Sequence, residues 1–355
     1  MFYILFAIVI FGVLVIVHEL GHFLAAKACG VRVNEFSVGM GPQLLHTTRG
    51  ETVYSLRLLP IGGFCAMAGE DDDCDDERSL YRQSRWKQLV IFAAGVAMNF
   101  LIGFLLIVFL YADAAGFYTA EIGALNEGFP QEGPDSIMVG DTIYAINGER
   151  VYLMDDVRLI MDFYVNGDDT IDLTVLRDGQ KLTRTLHKQT YQDENGNDYK
   201  AFGFSYGGIV EATPVLRLQY SWYQTLDYVR LVRMSLRMMV TGGVGIDDLS
   251  GPVGIVSTIT EIGEETEAEE GRLAAIESIL FLAAMIAVNL AVMNLLPIPA
   301  LDGGHILFLL VNGVAMLLFK REIPRKYLNA VSGVGFAALM AFMLFITLHD
   351  IIKLF

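Results

Sequence analysis

Long apolar runs are the feature that most constrains the fold of this 355-residue chain. Each run carries no more than two charged side chains. A bilayer core requires about 20 consecutive, mainly apolar residues. The apolar content of 54% also exceeds the roughly 45–50% that is typical of soluble domains. The chain is therefore predicted to be a polytopic α-helical membrane protein with about four spans. The runs are residues 1–26, 88–112, 273–319 and 328–349.

The first run could instead be a cleaved signal peptide. It lacks a basic segment before its apolar stretch, and that stretch is too long for a signal peptide. The cationic flank of the run, Lys27, follows it. We therefore expect a retained first span.

The distribution of Lys and Arg predicts the orientation of the spans. Eight of these residues lie between positions 27 and 87, four lie in 320–326, and none lies in 88–149. The positive-inside rule places 27–87 and 320–327 in the cytoplasm. The N-terminus and residues 113–272 are then expected outside.

The charge balance argues against nucleic acid as a partner. The net charge is −16, and most of it comes from the region predicted to lie outside. The run EDDDCDDE (70–77) is interpreted as a solvated loop, since its spacing does not match a calcium-binding EF-hand. The three thiols, Cys29, Cys65 and Cys74, are expected on the cytoplasmic side. They indicate neither disulfides nor a cysteine zinc site.

Turn signals and strand-like pieces divide the chain between the spans. The loop after the first span alternates polar and apolar residues around GMGP (39–42) and PIGG (60–63), which predicts short strands and tight turns. Residues 115–205 combine strand-like pieces with a helix-like piece at 155–165, which predicts a compact, mainly β domain. Residues 216–241 have helical spacing typical of an amphipathic interfacial helix, and a helix docked on the outer domain is the alternative. The expected segments are 1–27 (first span), 28–87 (cytoplasmic β-rich loop), 88–112 (second span), 113–205 (outer domain), 206–272 (juxtamembrane segment), 273–319 (broken span), 320–327 (cytoplasmic loop) and 328–352 (last span).

Three ionisable residues interrupt the first apolar run. In HELGH (18–22), His18 and His22 lie one helical turn apart on the same face. Two such imidazoles can bind one Zn²⁺ ion, and Glu19 can act as a base toward water. The alternative is a hydrogen-bonded cluster inside a helix bundle. Ionisable residues inside a membrane are expensive to bury, which favours the functional interpretation.

A catalytic zinc site usually has three protein ligands, so one more is needed. Asp302 is the only acid in residues 278–321, and it follows a helix break at Pro297 and Pro299. His305 is the rival ligand. We favour Asp302, because a buried carboxylate needs a neighbouring cation more than a neutral imidazole does.

These motifs resemble the site-2 protease family of intramembrane zinc metalloproteases, in its bacterial RseP/RasP-like branch. HELGH (18–22) is similar to the first family motif, and NLLPIPALDGGH (294–305) is similar to the second. GDTIYAINGERV (140–151) resembles part of a PDZ domain. Two features depart from the pattern: Val96 stands where the family often has proline, and DSIMVGD (135–141) replaces the usual PDZ sequence.

The resemblance implies a fold and a set of roles. The fold would be a helical membrane protein with a cytoplasmic, membrane-associated β-hairpin region and an extracytoplasmic PDZ-like domain. It would lie in the bacterial cytoplasmic (inner) membrane, with its active site near the cytoplasmic side. The expected roles are metal ligation by His18, His22 and Asp302, catalysis by Glu19, and substrate binding by Asn294 and Asn99. For Asn99, an interhelical hydrogen bond is an equal alternative.

The resemblance also implies the substrates: single-span proteins already trimmed outside, such as anti-sigma factors or remnant signal peptides. An edge strand in 51–67 is expected to pair with the unwound substrate. The competing hypotheses are a non-catalytic adaptor that binds partners through the PDZ-like domain, and a membrane metalloprotease with a different third ligand. The sequence leaves the oligomeric state open.

Overall fold

The structure is a computed structural model that describes residues 1–70, 75–129, 136–165, 168–192, 197–242, 245, 251–321 and 323–353. Residues 71–74 of the acidic run, which include Cys74, lie outside the described residues, as does the first residue of 135–141. The chain forms two compact units. The helical unit comprises 1–107 and 235–355, and the β-rich unit comprises 108–234.

The described residues form eight α-helices and ten β-strands, with a short 3₁₀-helix at Leu80–Arg82. The helices are α1 (Phe2–Cys29), α2 (Arg85–Leu110), α3 (Met154–Tyr164), α4 (Pro214–Thr241), α5 (Pro252–Glu269), α6 (Arg272–Asn294), α7 (Asp302–Phe319) and α8 (Arg325–Lys353). The strands are β1 (Val33–Arg49), β2 (Thr52–Met67), β3 (Gly116–Leu125), β4 (Thr142–Ile146), β5 (Glu149–Arg150), β6 (Thr170–Arg177), β7 (Gln180–His187), β8 (Gln189–Gln192), β9 (Asp198–Ala201) and β10 (Phe204–Glu211).

Within the described residues, five helices are long and apolar enough to cross a membrane: α1, α2, α6, α7 and most of α8. The sequence predicted about four spans. The difference lies in 273–319, which forms two separate helices rather than one broken span. Pro297 and Pro299 lie in the connection, and proline removes a helical hydrogen bond and clashes with the preceding turn.

Small residues pack the helices of the helical unit together. Tyr3, Ala7 and Leu14 of α1 belong to one buried cluster with Ile259 of α5 and with a row of α6 that includes Ala275, Ala283 and Ala287. Helices that meet in a membrane gain stability mainly from close van der Waals packing, which small side chains permit. This core packs α1, which carries HELGH, against α5, and α5 in turn packs against α6.

Strands β1 and β2 form the predicted β-rich loop. Phe36 pairs with both Tyr54 and Cys65, so the first part of β1 lies between the two halves of β2. Each strand bends at a glycine with positive φ, Gly39 at 84° and Gly62 at 87°, and few other residues adopt this conformation. Both glycines lie in the segments where the sequence predicted tight turns, 39–42 and 60–63. The strands nevertheless continue through these segments, so they are 17 and 16 residues long where the sequence predicted short strands.

The β-rich unit is built on a sheet with the strand order β10-β3-β4-β6-β7, with β5 paired to β4. Its core includes Ile122, Ile143, Ile160 and Leu173. Strand β10 continues to Glu211 and pairs with β3 as far as Gly116. The sheet therefore extends beyond residue 205, where the sequence placed the end of the domain. The sequence missed this part of the strand because Gly207 and Gly208 weaken the strand signal.

Helix α4 is docked on the β-rich unit through a buried ion pair. Nη1 of Arg230 lies 3.1 Å from Oδ1 of Asp156, and 3.7 Å from Oδ1 of Asp227. Asp156 also accepts hydrogen bonds from the N–H groups of Tyr152 and Leu153 at the start of α3. This contact supports the docked alternative for the first part of 216–241.

Candidate active site

Three side chains from two distant segments converge at one point. Helix α1 places His18 and His22 one turn apart, and Asp302 is the first residue of α7. Oδ2 of Asp302 lies 3.2 Å from Nε2 of His18 and 3.3 Å from Nε2 of His22, and the two nitrogens lie 3.1 Å apart. The three side chains are only 12%, 8% and 16% exposed. In the part of the chain that the structure describes, they are the only group of three or more His, Cys, Asp or Glu arranged to hold a metal ion.

The spacing of the three atoms fits Zn²⁺. Ligands about 2.0–2.1 Å from a tetrahedral ion lie about 3.3 Å from one another, and the observed separations are 3.1–3.3 Å. Among the described residues, Oδ2 of Asp302 is buried without a donor in hydrogen-bonding geometry, although it contacts both imidazoles. Such a grouping leaves three electron-pair donors facing one another, and a cation between them would satisfy all three.

The histidines are oriented by hydrogen bonds on their far side. Nδ1 of His22 lies 2.8 Å from the carbonyl oxygen of Ile91, so Nδ1–H donates and Nε2 keeps its electron pair. The Asn99 amide lies 3.4 Å from Nδ1 of His18. The Oδ1 atom of Asn99 has no partner within the described chain. If the amide group is turned by 180°, Oδ1 accepts a hydrogen bond from Nδ1–H of His18. Nε2 of His18 then keeps its electron pair.

Glycines provide the space that this arrangement requires. A Cβ at Gly95 of α2 would collide with Nε2 of His22, so a hydrogen there lets α2 lie against both imidazoles. A Cβ at Gly303 would collide with the carbonyl oxygens of Leu295 and Leu296. The first turn of α7 can therefore fold onto the connection after α6, which brings Asp302 to the histidines.

The cluster lines a cavity of about 460 Å³. Glu19 and Asn294, both candidates from the sequence, line the same cavity. Its wall also includes the last residues of β2, from Phe64 to Met67, and Glu70 just beyond them. The cavity therefore brings a carboxylate base, an amide and a strand next to the candidate metal ligands.

Two other candidates occupy different positions. Asn99 is 1% exposed, lies behind His18 and is not part of the cavity wall. His305, the rival ligand, stacks on Phe92 with ring centroids 4.9 Å apart, and its Nδ1 lies 3.4 Å from the hydroxyl of Tyr81. It lines the cavity but lies outside the three-residue cluster.

Sequence reasoning missed several groups at this site. The Ile91 carbonyl that orients His22 is a backbone atom and has no sequence signal. Gly95 was visible next to the departure at Val96, but its role depends on helix packing. Glu70 was included in a solvated acidic loop, whereas its side chain lines the cavity.

The chain was compared with known proteins. The model of "Peptidase family M50" matches residues 6–342. A Clostridium perfringens protein named "Putative zinc metalloprotease" is 35% identical, over 99% of this chain and 98% of the relative. The chain belongs to peptidase family M50. Similar proteins also include the "Regulator of sigma-W protease RasP" of Bacillus subtilis, which is 28% identical over 98% of each chain, and the "Zinc metalloprotease RasP" of Shouchella clausii, at 29% identity over 98% of each chain. The family predicted from the two motifs is therefore confirmed, and with it the assignment to a family of peptidases.

Proposed function

We propose that the chain is a zinc-dependent intramembrane endopeptidase that cleaves within or near the membrane span of single-span proteins. The observation that carries this proposal is the convergence of His18, His22 and Asp302 in a cavity that also contains Glu19. Relatives named as zinc metalloproteases support Zn²⁺ as the cofactor.

The roles follow from the donor set and the cavity. His18, His22 and Asp302 would hold Zn²⁺, which supplies a Lewis acid that polarises a carbonyl and lowers the pKa of water. Glu19 takes the proton of the attacking water and passes it to the leaving nitrogen. Asn294 would donate its amide N–H to the substrate backbone or to the developing negative oxygen. Asn99 would instead act through His18, by fixing its ring.

The end of β2 is suited to hold the unwound substrate. Phe64, Cys65 and Met67 line the cavity. They lie in the last part of β2, which pairs with β1 along one edge. An extended peptide can add to such an edge through main-chain hydrogen bonds. The proposal therefore places the scissile carbonyl of a strand-paired substrate next to Glu19.

Proline substitution tests the strand pairing. Cys65→Pro removes one N–H at the edge, and Cys65→Ala controls for loss of the thiol. Cleavage should be abolished in the proline variant, with its zinc content unchanged, and retained in the alanine variant. Full cleavage by Cys65→Pro would refute the pairing.

The substrates and orientation are part of the proposal. We infer that the chain lies in a bacterial cytoplasmic membrane, with residues 27–87 and 320–327 inside, following the distribution of Lys and Arg. The β-rich unit would then be an outer PDZ-like domain that excludes proteins with bulky ectodomains. Suitable substrates are single-span proteins already trimmed outside, including anti-sigma factors and remnant signal peptides.

The decisive assay is cleavage of a panel of tagged single-span substrates in detergent or liposomes. We expect cleavage by the wild-type chain, loss of cleavage with a zinc chelator, and a loss of about 10²–10⁴-fold in Glu19→Gln. The alternative, a non-catalytic adaptor, predicts that partner binding and activity survive Glu19→Gln. Cleavage that persists in Glu19→Gln would reject the proposed mechanism.

A further inference from the structure

The outer edge of β2 carries the backbone groups that a paired substrate would need. The register pairs Val33 with Met67, and the N–H of Ala68 donates to the carbonyl of Arg32 at 2.9 Å. Alternate residues of a strand direct their backbone groups to opposite sides. The N–H of Met67 therefore points away from β1, toward the free edge.

Cys65 lies two residues before Met67 and has the same orientation. Its backbone N–H faces the carboxylate of Glu19, in the cavity. The outward N–H groups of this edge thus run from the candidate catalytic base toward the end of β2. A substrate strand that pairs here would place carbonyl oxygens on both.

The outward N–H of Met67 already has an acceptor from the same chain. Oε2 of Glu70 accepts this hydrogen bond at 3.2 Å, and the Glu70 side chain lines the catalytic cavity. Burial, and then the nearby charges of Glu19 and Glu70, raise the pKa of the Cys65 thiol, as expected for a thiol flanked by two carboxylates. A carboxylate oxygen thus occupies the position where a substrate carbonyl would bind.

We infer that Glu70 is a built-in cap on the substrate-pairing edge, which the backbone of an incoming substrate must displace. The inference rests on the proposed function, because it assumes that the end of β2 pairs with substrate. The net free energy of substrate binding is then the gain from strand pairing minus the loss of the Glu70 hydrogen bond. The cap also occupies an N–H group on the side of β2 that β1 does not pair, which protects this edge against pairing with unrelated segments.

Capping makes a prediction that a simple charge effect does not. Glu70→Ala removes the acceptor, whereas Glu70→Gln keeps an acceptor oxygen and removes the charge. Glu77→Gln is the matched control, because Glu77 is an exposed acid of the same run. We expect Glu70→Ala to lower KM by about fivefold with kcat unchanged. In a Glu19→Gln background, Glu70→Ala should tighten the binding of an uncleaved single-span substrate by the same factor. Glu70→Gln should lie between wild type and Glu70→Ala, and Glu77→Gln should match wild type.

Three results would overturn the cap, and each leaves the proposed protease function standing. The first is unchanged KM and binding in Glu70→Ala while cleavage remains zinc-dependent. The second is an equal effect of Glu70→Ala and Glu70→Gln, which would indicate charge alone. The third is the same effect in Glu77→Gln.

Hydrogen exchange tests the cap without any activity measurement. The Met67 amide should exchange faster in Glu70→Ala than in wild type, and at the wild-type rate in Glu77→Gln. Faster exchange together with no substrate cleavage by the wild-type chain would confirm the Glu70 hydrogen bond to the Met67 amide but reject the protease function, and with it the role of that bond as a cap against substrate. An unchanged exchange rate in Glu70→Ala would reject the cap.

Discussion

Nε2 of His22 lies 3.3 Å from Oδ2 of Asp302, although the two residues belong to helices near opposite ends of the chain. The contact exists because α6 ends at Asn294, two prolines prevent its continuation, and α7 restarts at Asp302. The helix break is therefore a part of the site and not only a turn. It sets the position along α1 at which the carboxylate meets the two imidazoles.

The two asparagines should have separable effects. Asn99→Leu removes the amide next to His18, and we expect zinc affinity to fall by about 10- to 100-fold. Asn294→Ala should leave zinc affinity unchanged and lower kcat by roughly 10²–10³-fold, because this amide faces the cavity. Zinc titration and steady-state kinetics on both variants distinguish the roles. Equal zinc affinities in the two variants would contradict the role given to Asn99.

Gly95→Ala should disrupt the site by steric overlap. The added Cβ meets Nε2 of His22, and overpacking of this kind costs about 1–3 kcal/mol. We expect weaker zinc binding and a lower melting temperature. Gly333→Ala is the control, because no described atom lies within 4 Å of a Cβ at that helical position. If Gly95→Ala bound zinc as tightly as Gly333→Ala, the packing role given to Gly95 would be wrong.

The sequence predicts those features of the site that depend on residues close together in the chain, and it misses those that depend on packing between helices. HELGH has a local helical spacing, so the facing of His18 and His22 was predictable. Asp302 was predictable because a carboxylate within an apolar segment is costly to bury without a neighbouring cation. The roles of Gly95 and the Ile91 carbonyl depend on how α2 packs against α1, which no local pattern in one sequence encodes. The end of β10 was missed for a different reason, since its glycines weaken the strand signal.

The buried acid pair of the β-rich unit should make stability depend on pH. Burial, together with a hydrogen bond and charge repulsion from Asp156, raises the pKa of Asp227 to about 8. The folded state then holds a proton that the unfolded state loses near pH 4, so stability falls as pH rises from about 4 to about 8. Thermal unfolding between pH 5 and pH 9 should show this decline. Asp227→Asn should flatten it, while the exposed Asp162→Asn should not; an unchanged slope in Asp227→Asn would contradict the assignment.

The size-exclusion role of the β-rich unit can be tested with a deletion designed from the structure. The N–H of Ala212 donates to the carbonyl of Ala115 at 3.0 Å, so the two ends of residues 116–211 are adjacent. Removing that segment deletes the whole sheet, including β10, and needs little new linker. We expect the deleted chain to cleave untrimmed single-span substrates that the full chain rejects. Continued rejection, with trimmed substrates still cleaved, would count against a filter.

Metal analysis of the purified chain is the most direct test of the central claim, that His18, His22 and Asp302 together hold one zinc ion. Asp302→Asn is the informative variant, and Glu277→Gln, an exposed acid in α6, is the matched control. The account predicts about one zinc per chain in the wild type and in Glu277→Gln, and a large loss in Asp302→Asn. A wild-type chain that binds no zinc, or an Asp302→Asn chain that binds it with wild-type affinity, would contradict it.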